Sequence, residues 1–288
     1  MFFFDKINTV GDSMYKVVKN EVLNKNIYQM IVEDGGKCKN FIPGQFVIVM
    51  SKLDSERIPL TIYDYDKNLN QIHLIYQVVG ASTLELSHIT DNIFSIVGPL
   101  GNPSEICLNP DLYKDKKVLY IAGGVGIAPV YPQIKLLKES GFDIDLIYGV
   151  KSSNYIIIED KIKEVARNIY YTSDDGSIGL KGNVVDKLKE IKDNYNYIVC
   201  IGPVIMMKNV SEYTKELGIK TIVSMNPIMV DGTGMCGACR CKVDGKTRFA
   251  CIDGPEFDGA LVDFDIALKR MNIYKEEEKE LLNRVLGE

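Results

Sequence analysis

The sequence lacks several features that would announce a function directly. It has no surplus of basic residues: 34 Lys and Arg stand against 39 Asp and Glu, for a net charge of -5 and a pI near 5.3. No positive field is there to gather nucleic acid or an anionic membrane, and no nucleic-acid partner is expected. It has no run approaching the ~20 apolar residues of a membrane span. The opening Met1-Phe2-Phe3-Phe4 meets Asp5 and Lys6 at once, which is too short and too poor in basic lead-in for a signal-peptide core. A cytoplasmic protein without a membrane span is expected. Histidine is scarce as well; His73 and His88 are the two in the chain, and both read as isolated structural residues.

What is present is ordinary globular composition, 288 residues with 46% hydrophobic and 25% charged side chains, enough for two domains with real cores. Seven cysteines in a chain without an export signal argue against a disulfide framework. Four of them, Cys236, Cys239, Cys241 and Cys251, crowd into sixteen residues. Such clustering is typical of ligands.

Residues 1–13 read as an extension or an over-called start, because the first amphipathic strand begins near residue 14. Residues 14–110 carry short alternating runs at 15–22, 27–32, 46–50, 59–63, 71–79 and 92–97, divided by turn signals, with one helical insert at 83–89. This predicts an antiparallel β-barrel domain. From 111 to 225 the period changes. Buried strands at 117–122, 144–150, 169–172, 197–201 and 221–224 alternate with helices at 128–140, 159–167, 184–192 and 204–217. That alternation predicts a doubly wound parallel sheet, with its ligand cleft at the carboxyl ends of the strands. Residues 226–264 are glycine- and cysteine-rich with little periodicity, so a metal centre is the economical source of order there. Residues 265–288 read as a charged amphipathic helix, solvated or docking.

The most specific motif is Asp231-Gly-Thr-Gly-Met-Cys236-Gly-Ala-Cys239, followed by Cys251. The spacing matches the plant-type C-x4-C-x2-C…C pattern of a [2Fe-2S] cluster, with aspartate in the first position. Zinc held by Cys236, Cys239, Cys241 and Cys251 is the competing reading, weakened by the lack of a second C-x2-C pair or a nearby histidine. Cys241 is also the alternative to Asp231 as fourth cluster ligand. Its place one residue past Cys239 would demand a sharp reversal.

A second motif, Gly123-Gly124-Val-Gly126-Ile-Ala-Pro129, ends a strand and opens a helix, where backbone amides can face a pyrophosphate. Cys200-Ile-Gly202-Pro203-Val-Ile-Met206 follows another strand and Thr172-Ser-Asp174-Asp175-Gly176 a third, so three glycine-bearing turns are expected at one sheet edge. Asp174 and Asp175 would repel a 2′-phosphate, which favours NADH over NADPH. In the barrel, Arg57-Ile-Pro59-Leu60-Thr61 and Gly80-Ala-Ser82-Thr83 are candidates for holding a flavin, with Ile75, Tyr76 and Gln77 on the preceding strand.

Taken together and in this order, these residues resemble the ferredoxin-reductase superfamily, and more closely the electron-transfer subunits of dihydroorotate dehydrogenase B and their relatives. Asp231 in place of the first cluster cysteine, with Arg57 to Thr61 and Met229 to Cys239, is most similar to the branch of small subunits of electron-bifurcating NADH-dependent ferredoxin:NADP oxidoreductases. The resemblance covers about residues 14–270. It implies FAD in the barrel, NAD(H) on the sheet, a [2Fe-2S] cluster, and a larger flavin and iron-sulfur partner subunit reactive with NADP and ferredoxin. It further implies Pro59 and Thr61 beside the isoalloxazine, Ser82 and Thr83 beside the FAD phosphates, and Gly123 to Pro129 beside the dinucleotide. Cys200, Gly202 and Pro203 would approach the nicotinamide, and Asp231, Cys236, Cys239 and Cys251 would hold the cluster. Hydride exchange with the flavin needs no side-chain acid or base. Two departures stand out: the superfamily's R-x-Y-[ST] has leucine for the aromatic here, with the arginine one residue early, and the dihydroorotate branch has cysteine at the position of Asp231. A dihydroorotate or sulfide dehydrogenase partner, or a redox sensor without turnover, are the other readings.

Overall fold

The computed structural model describes residues 14–286, so the reading of residues 1–13 as an extension lies outside the described residues. The chain opens with β1 (Tyr15–Asn24), β2 (Ile27–Glu33), β3 (Phe46–Met50), β4 (Ile58–Asp66) and β5 (Gln71–Gln77). After these come α1 (Ala81–Ser87), β6 (Asn92–Ile93), β7 (Ser95–Leu100) and α2 (Glu105–Leu108). The first seven strands form one antiparallel sheet in the order β6-β1-β2-β5-β4-β3-β7. Its two edge strands adjoin in sequence through Phe94, whose amide reaches the carbonyls of Met50 and Ser51, so the sheet curls into a barrel. The expected sixth strand is thus two short ones, because the chain must switch edges between them. Period-two alternation sets the faces of β4: Ile58, Leu60 and Ile62 point into the barrel core, Pro59 and Thr61 to a half-open face.

The second half alternates as expected through β8 (Val118–Gly123), α3 (Ile127–Glu139), β9 (Asp145–Val150), α4 (Glu159–Val165), β10 (Asn168–Ser173) and β11 (Leu180–Lys181). The alternation continues with α5 (Val184–Ile191), β12 (Tyr197–Ile201), α6 (Val204–Glu216) and β13 (Lys220–Ser224). The sheet order is β11-β10-β9-β8-β12-β13, all parallel, with a further strand beyond β13 supplied by residues 256–258. All six residues of β8 are buried, as both faces of the sheet are covered by helices. Asp145 at the amino end of β9 is buried, and Arg167 binds it with two nitrogens at 2.9 and 2.7 Å while Tyr195 donates at 2.5 Å. That network fastens the edge opposite the ligand cleft.

The cysteine-rich segment is less irregular than its sequence reads. It holds a hairpin, β14 (Arg240–Val243) with β15 (Lys246–Phe249), and then β16 (Glu256–Asp258), which extends the nucleotide sheet by pairing antiparallel to β13. The tail is two helices rather than one. α7 (Phe264–Met271) is capped by the Asp263 carboxylate on the Ile266 amide, and α8 (Lys275–Leu286) follows after a break at residues 272–274. No helix among the described residues is long and apolar enough to cross a membrane.

Candidate functional site

The turns after β8 and β12 lie side by side, since these strands are neighbours in the sheet. They fit only because neither carries side chains where they touch. A Cβ on Gly126 would stand 2.4 Å from the Ile201 carbonyl oxygen, and one on Gly202 would stand 3.0 Å from Gly123. Met206 and Pro203 close the same junction, the Met206 sulfur only 2.5 Å from where a Gly123 Cβ would be. Gly124 differs: at φ +53 with no atom within 4 Å of a Cβ, its backbone faces open space at the mouth of α3. Pro129 sits in the first turn of α3, where the amide it lacks has no intrahelical partner, so its departure from the usual fingerprint costs nothing.

The third turn, after β10, opens on the same carboxyl edge but two strands from β8, so the three turns share an edge without all touching. Thr172 is buried beside Gly149, while Asp174 and Asp175 are exposed; the Asp175 carboxylate accepts from the Ser177 amide at 2.9 Å. Hydrogen bonds from Ser177 hold the Asp175 carboxyl below the usual range. Cys200 is fully buried against the α5 and α6 side, and burial pushes its thiol far up. Only its backbone can approach a ligand. Period two on β12 explains this, as Ile198 and Cys200 share that inner face.

On the barrel, Pro59 and Thr61 present the half-open face of β4, and Arg57 is exposed just before it. Gly80 and the first turn of α1 close the opposite side. Thr83 accepts from the amides of Val79 and Gly80 at 3.0 and 3.2 Å, which orders the turn, and the Ser82 hydroxyl bonds Glu56. Leu60 and Tyr76 point inward instead, Tyr76 donating to Asn20 at 3.0 Å, and Ile75 packs against the nucleotide domain; Gln77 bonds Asn26. Strand alternation in the sequence already separates Thr61 from Leu60. His73 is half-buried with both ring nitrogens unpartnered, and burial lowers its pKa, in keeping with a structural neutral imidazole.

The cysteine loop rests directly on this barrel: a Cβ on Gly232 would meet Leu100 at 2.7 Å and Ile48 at 2.9 Å. Asp231 orders the loop, its two oxygens accepting from the amides of Thr233 and Cys236, each at 2.9 Å. Those amides hold its carboxyl below the usual range. The buried Cys239 and Cys251 sulfurs lie 3.1 Å apart, and the exposed Cys236 sulfur accepts from the Ala238 amide at 3.5 Å. The donors thus fall into an inner pair, Cys239 with Cys251, and an outer pair, Cys236 with Asp231. Three cysteines and a carboxylate arranged in this way would suit an iron-sulfur cluster. The Cys241 thiol turns to the Cys239 carbonyl oxygen at 3.7 Å, away from this set.

Comparison with known proteins agrees with both halves. Residues 226–263 match the iron-sulfur cluster binding domain of dihydroorotate dehydrogenase B, and residues 120–212 the oxidoreductase NAD-binding domain. An uncharacterized protein in the adh 3′ region of Clostridium beijerinckii is 48% identical, over 92% of each chain. The Thermotoga maritima homolog of the dihydroorotate dehydrogenase B electron transfer subunit is 41% identical over 96% of this chain and 97% of its own. A structure of NADH-dependent reduced ferredoxin-NADP oxidoreductase, solved to explain flavin-based electron bifurcation, superposes with a TM-score of 0.84 at 38% identity. It covers 96% of this chain and 99% of that one. A ferredoxin reductase of carbazole dioxygenase, 18% identical with a TM-score of 0.58 over 72% of this chain and 65% of its own, shares the fold alone. The chain therefore belongs to the family of dihydroorotate dehydrogenase B electron transfer subunits, NAD(H)-dependent oxidoreductase subunits built on the ferredoxin-reductase fold with sites for FAD and an iron-sulfur cluster.

Proposed function

We propose that this chain is the NAD(H)-facing subunit of a flavin-based ferredoxin:NADP oxidoreductase, passing electrons between NADH and a larger flavin and iron-sulfur subunit. The observation that carries the reading is that the cysteine loop is seated on barrel strands β3 and β7, next to the flavin strand β4, while the nucleotide turns open from the adjoining sheet. The two ends of an electron path are thereby built into one rigid surface. FAD, when bound, converts two-electron hydride chemistry into the one-electron steps a cluster accepts.

The residues of the chain bind and orient. The Gly124 backbone and the mouth of α3 receive the dinucleotide phosphates, and Asp174 and Asp175 turn away a 2′-phosphate. Pro59 and Thr61 offer the half-open face to the flavin ring, with Ser82 and Thr83 toward its phosphates. Asp231, Cys236, Cys239 and Cys251 hold the cluster, and Ile48 and Leu100 keep water from the contact between loop and barrel. Seven cysteines with no disulfide among them suit the reducing cytoplasm. The carboxylate at position 231, with the near-complete overlay on the ferredoxin-NADP enzyme, favours that partner over a dihydroorotate dehydrogenase.

Affinity capture of the tagged chain under anaerobic conditions tests this. A copurifying flavoprotein that reduces NADP when given NADH and reduced ferredoxin is the expected result. Copurification of a dihydroorotate dehydrogenase, or an FAD-loaded chain that NADH fails to bleach, would overturn it.

A further inference from the structure

The charged tail turns one cation inward. Arg270, in the last turn of α7, donates from Nη2 to the Ala238 carbonyl oxygen at 3.0 Å, and its Nε is buried without a partner. Ala238 lies between Cys236 and Cys239, so the peptide held by the guanidinium is the one whose N–H belongs to Cys239. Among the described residues no carboxylate pairs with Arg270, whereas Lys208 and Lys242 pair with Asp265 and Asp263 at the start of α7. A half-buried guanidinium left without a counter-ion is costly. The proposed ligand set would supply one, since three thiolates and a carboxylate would hold the cluster on this loop. Arg240 also reaches the loop, at 3.5 Å from the Gly237 carbonyl oxygen, but it is exposed and screened by water.

We propose that Arg270 is a positioning residue for the cluster: it fixes the Ala238–Cys239 peptide and, through its charge, favours the reduced state of the cluster. Reduction would add one negative charge, which a fixed cation held on the ligand loop would stabilise most strongly where water is excluded. The tail helix is then part of the electron path instead of a solvated appendage. The inference rests on the proposed ligand set.

The test is an anaerobic redox titration of the purified chain followed by the EPR signal of the reduced cluster, alongside the rate of iron loss to a chelator. Arg270→Gln keeps a donor and loses the charge. At the potential where the wild type is half reduced, its reduced-to-oxidised ratio is expected to fall by about threefold or more. Arg270→Lys keeps the charge and should titrate close to wild type, and Arg270→Met should both shift and lose iron faster. Equal midpoints for Gln, Lys and wild type would overturn the electrostatic role, as would equal iron loss from Gln and Lys with no difference in midpoint between them. A wild-type chain with no cluster signal at all would overturn the ligand set itself, a distinguishable failure.

Discussion

Two glycine-rich segments serve this molecule, and they use glycine for different reasons. In the nucleotide turns Gly123 and Gly126 have ordinary negative φ, −116 and −59, and glycine is needed for room, since the Met206 and Pro203 side chains lie where a Cβ on Gly123 would go and the Ile201 backbone where one on Gly126 would go. In the cysteine loop Gly232, Gly234 and Gly237 all have positive φ, between 67 and 86, and glycine is needed for handedness. The first region is shaped by packing before any ligand arrives. The second is shaped by the Asp231 carboxylate on two local amides and leaves Cys236 exposed. A preformed nucleotide cradle is thus joined to a metal loop that its metal completes.

The sharpest way to break that contrast is Gly126→Ala. Its Cβ would meet backbone 2.4 Å away, which cannot swing aside, so a loss of about 2–4 kcal/mol is expected in denaturant unfolding, with weaker NADH binding. Gly124→Ala has open space and pays only for φ +53, about 1 kcal/mol. Equal losses from the two would show that packing is not what shapes this turn.

In the cysteine loop the expected order of effects reverses. Gly234→Ala would press on Ile252, a flexible side chain, and costs about 1 kcal/mol of left-handed strain confined to the loop. Faster iron loss to a chelator should accompany an unchanged melting transition for the rest of the chain. Removing the iron altogether should leave NADH bleaching the flavin within about threefold of the starting rate, under about 0.7 kcal/mol in barrier. Collapse of nucleotide binding on iron removal would show that the two regions are one cooperative unit.

Much of this was legible in the sequence because spacing encodes it. The order of barrel, parallel sheet and cysteine segment followed from period, while the interval suggested Asp231, Cys236, Cys239 and Cys251 as a ligand set and left Cys241 as the alternative to Asp231. The inward turn of Leu60 and Tyr76 beside an outward Thr61 also lies in the alternation, although a motif read as a block hides it. Cys200 is similar: the resemblance implied an approach to the nicotinamide, yet the parity of β12 sends its thiol into the core. Other features leave no local trace. β16 completes a sheet whose other strands lie more than thirty residues earlier, and its three residues carry no pattern of their own. Arg270 reads as one more charge on an amphipathic tail until the fold brings it to Ala238.

The smallest expected effect concerns a side chain that joins the two regions. Glu256, on β16 just past the cysteine loop, accepts at 2.7 Å from Gln133 on α3, and Gln133 accepts in turn from Tyr120 at 3.0 Å. Tyr197, Cys107 and Ser104 also face this pocket. Burial raises the Glu256 pKa above 4.5, and the Ser104 hydroxyl and the bond from Gln133 offset only part of it. A folded-state pKa raised in this way means that the contribution of Glu256 is complete below the ordinary glutamate value and is lost as pH rises through the folded one. Glu256→Gln cannot ionise and keeps an oxygen for Gln133, so it should match the wild type in acid and become the more stable of the two as pH rises. Unfolding midpoints measured across that range should diverge in this direction. Parallel curves would mean that the carboxylate is already ionised in the folded chain, and that the nucleotide helix and the metal loop are joined by a charge rather than by a neutral hydrogen bond.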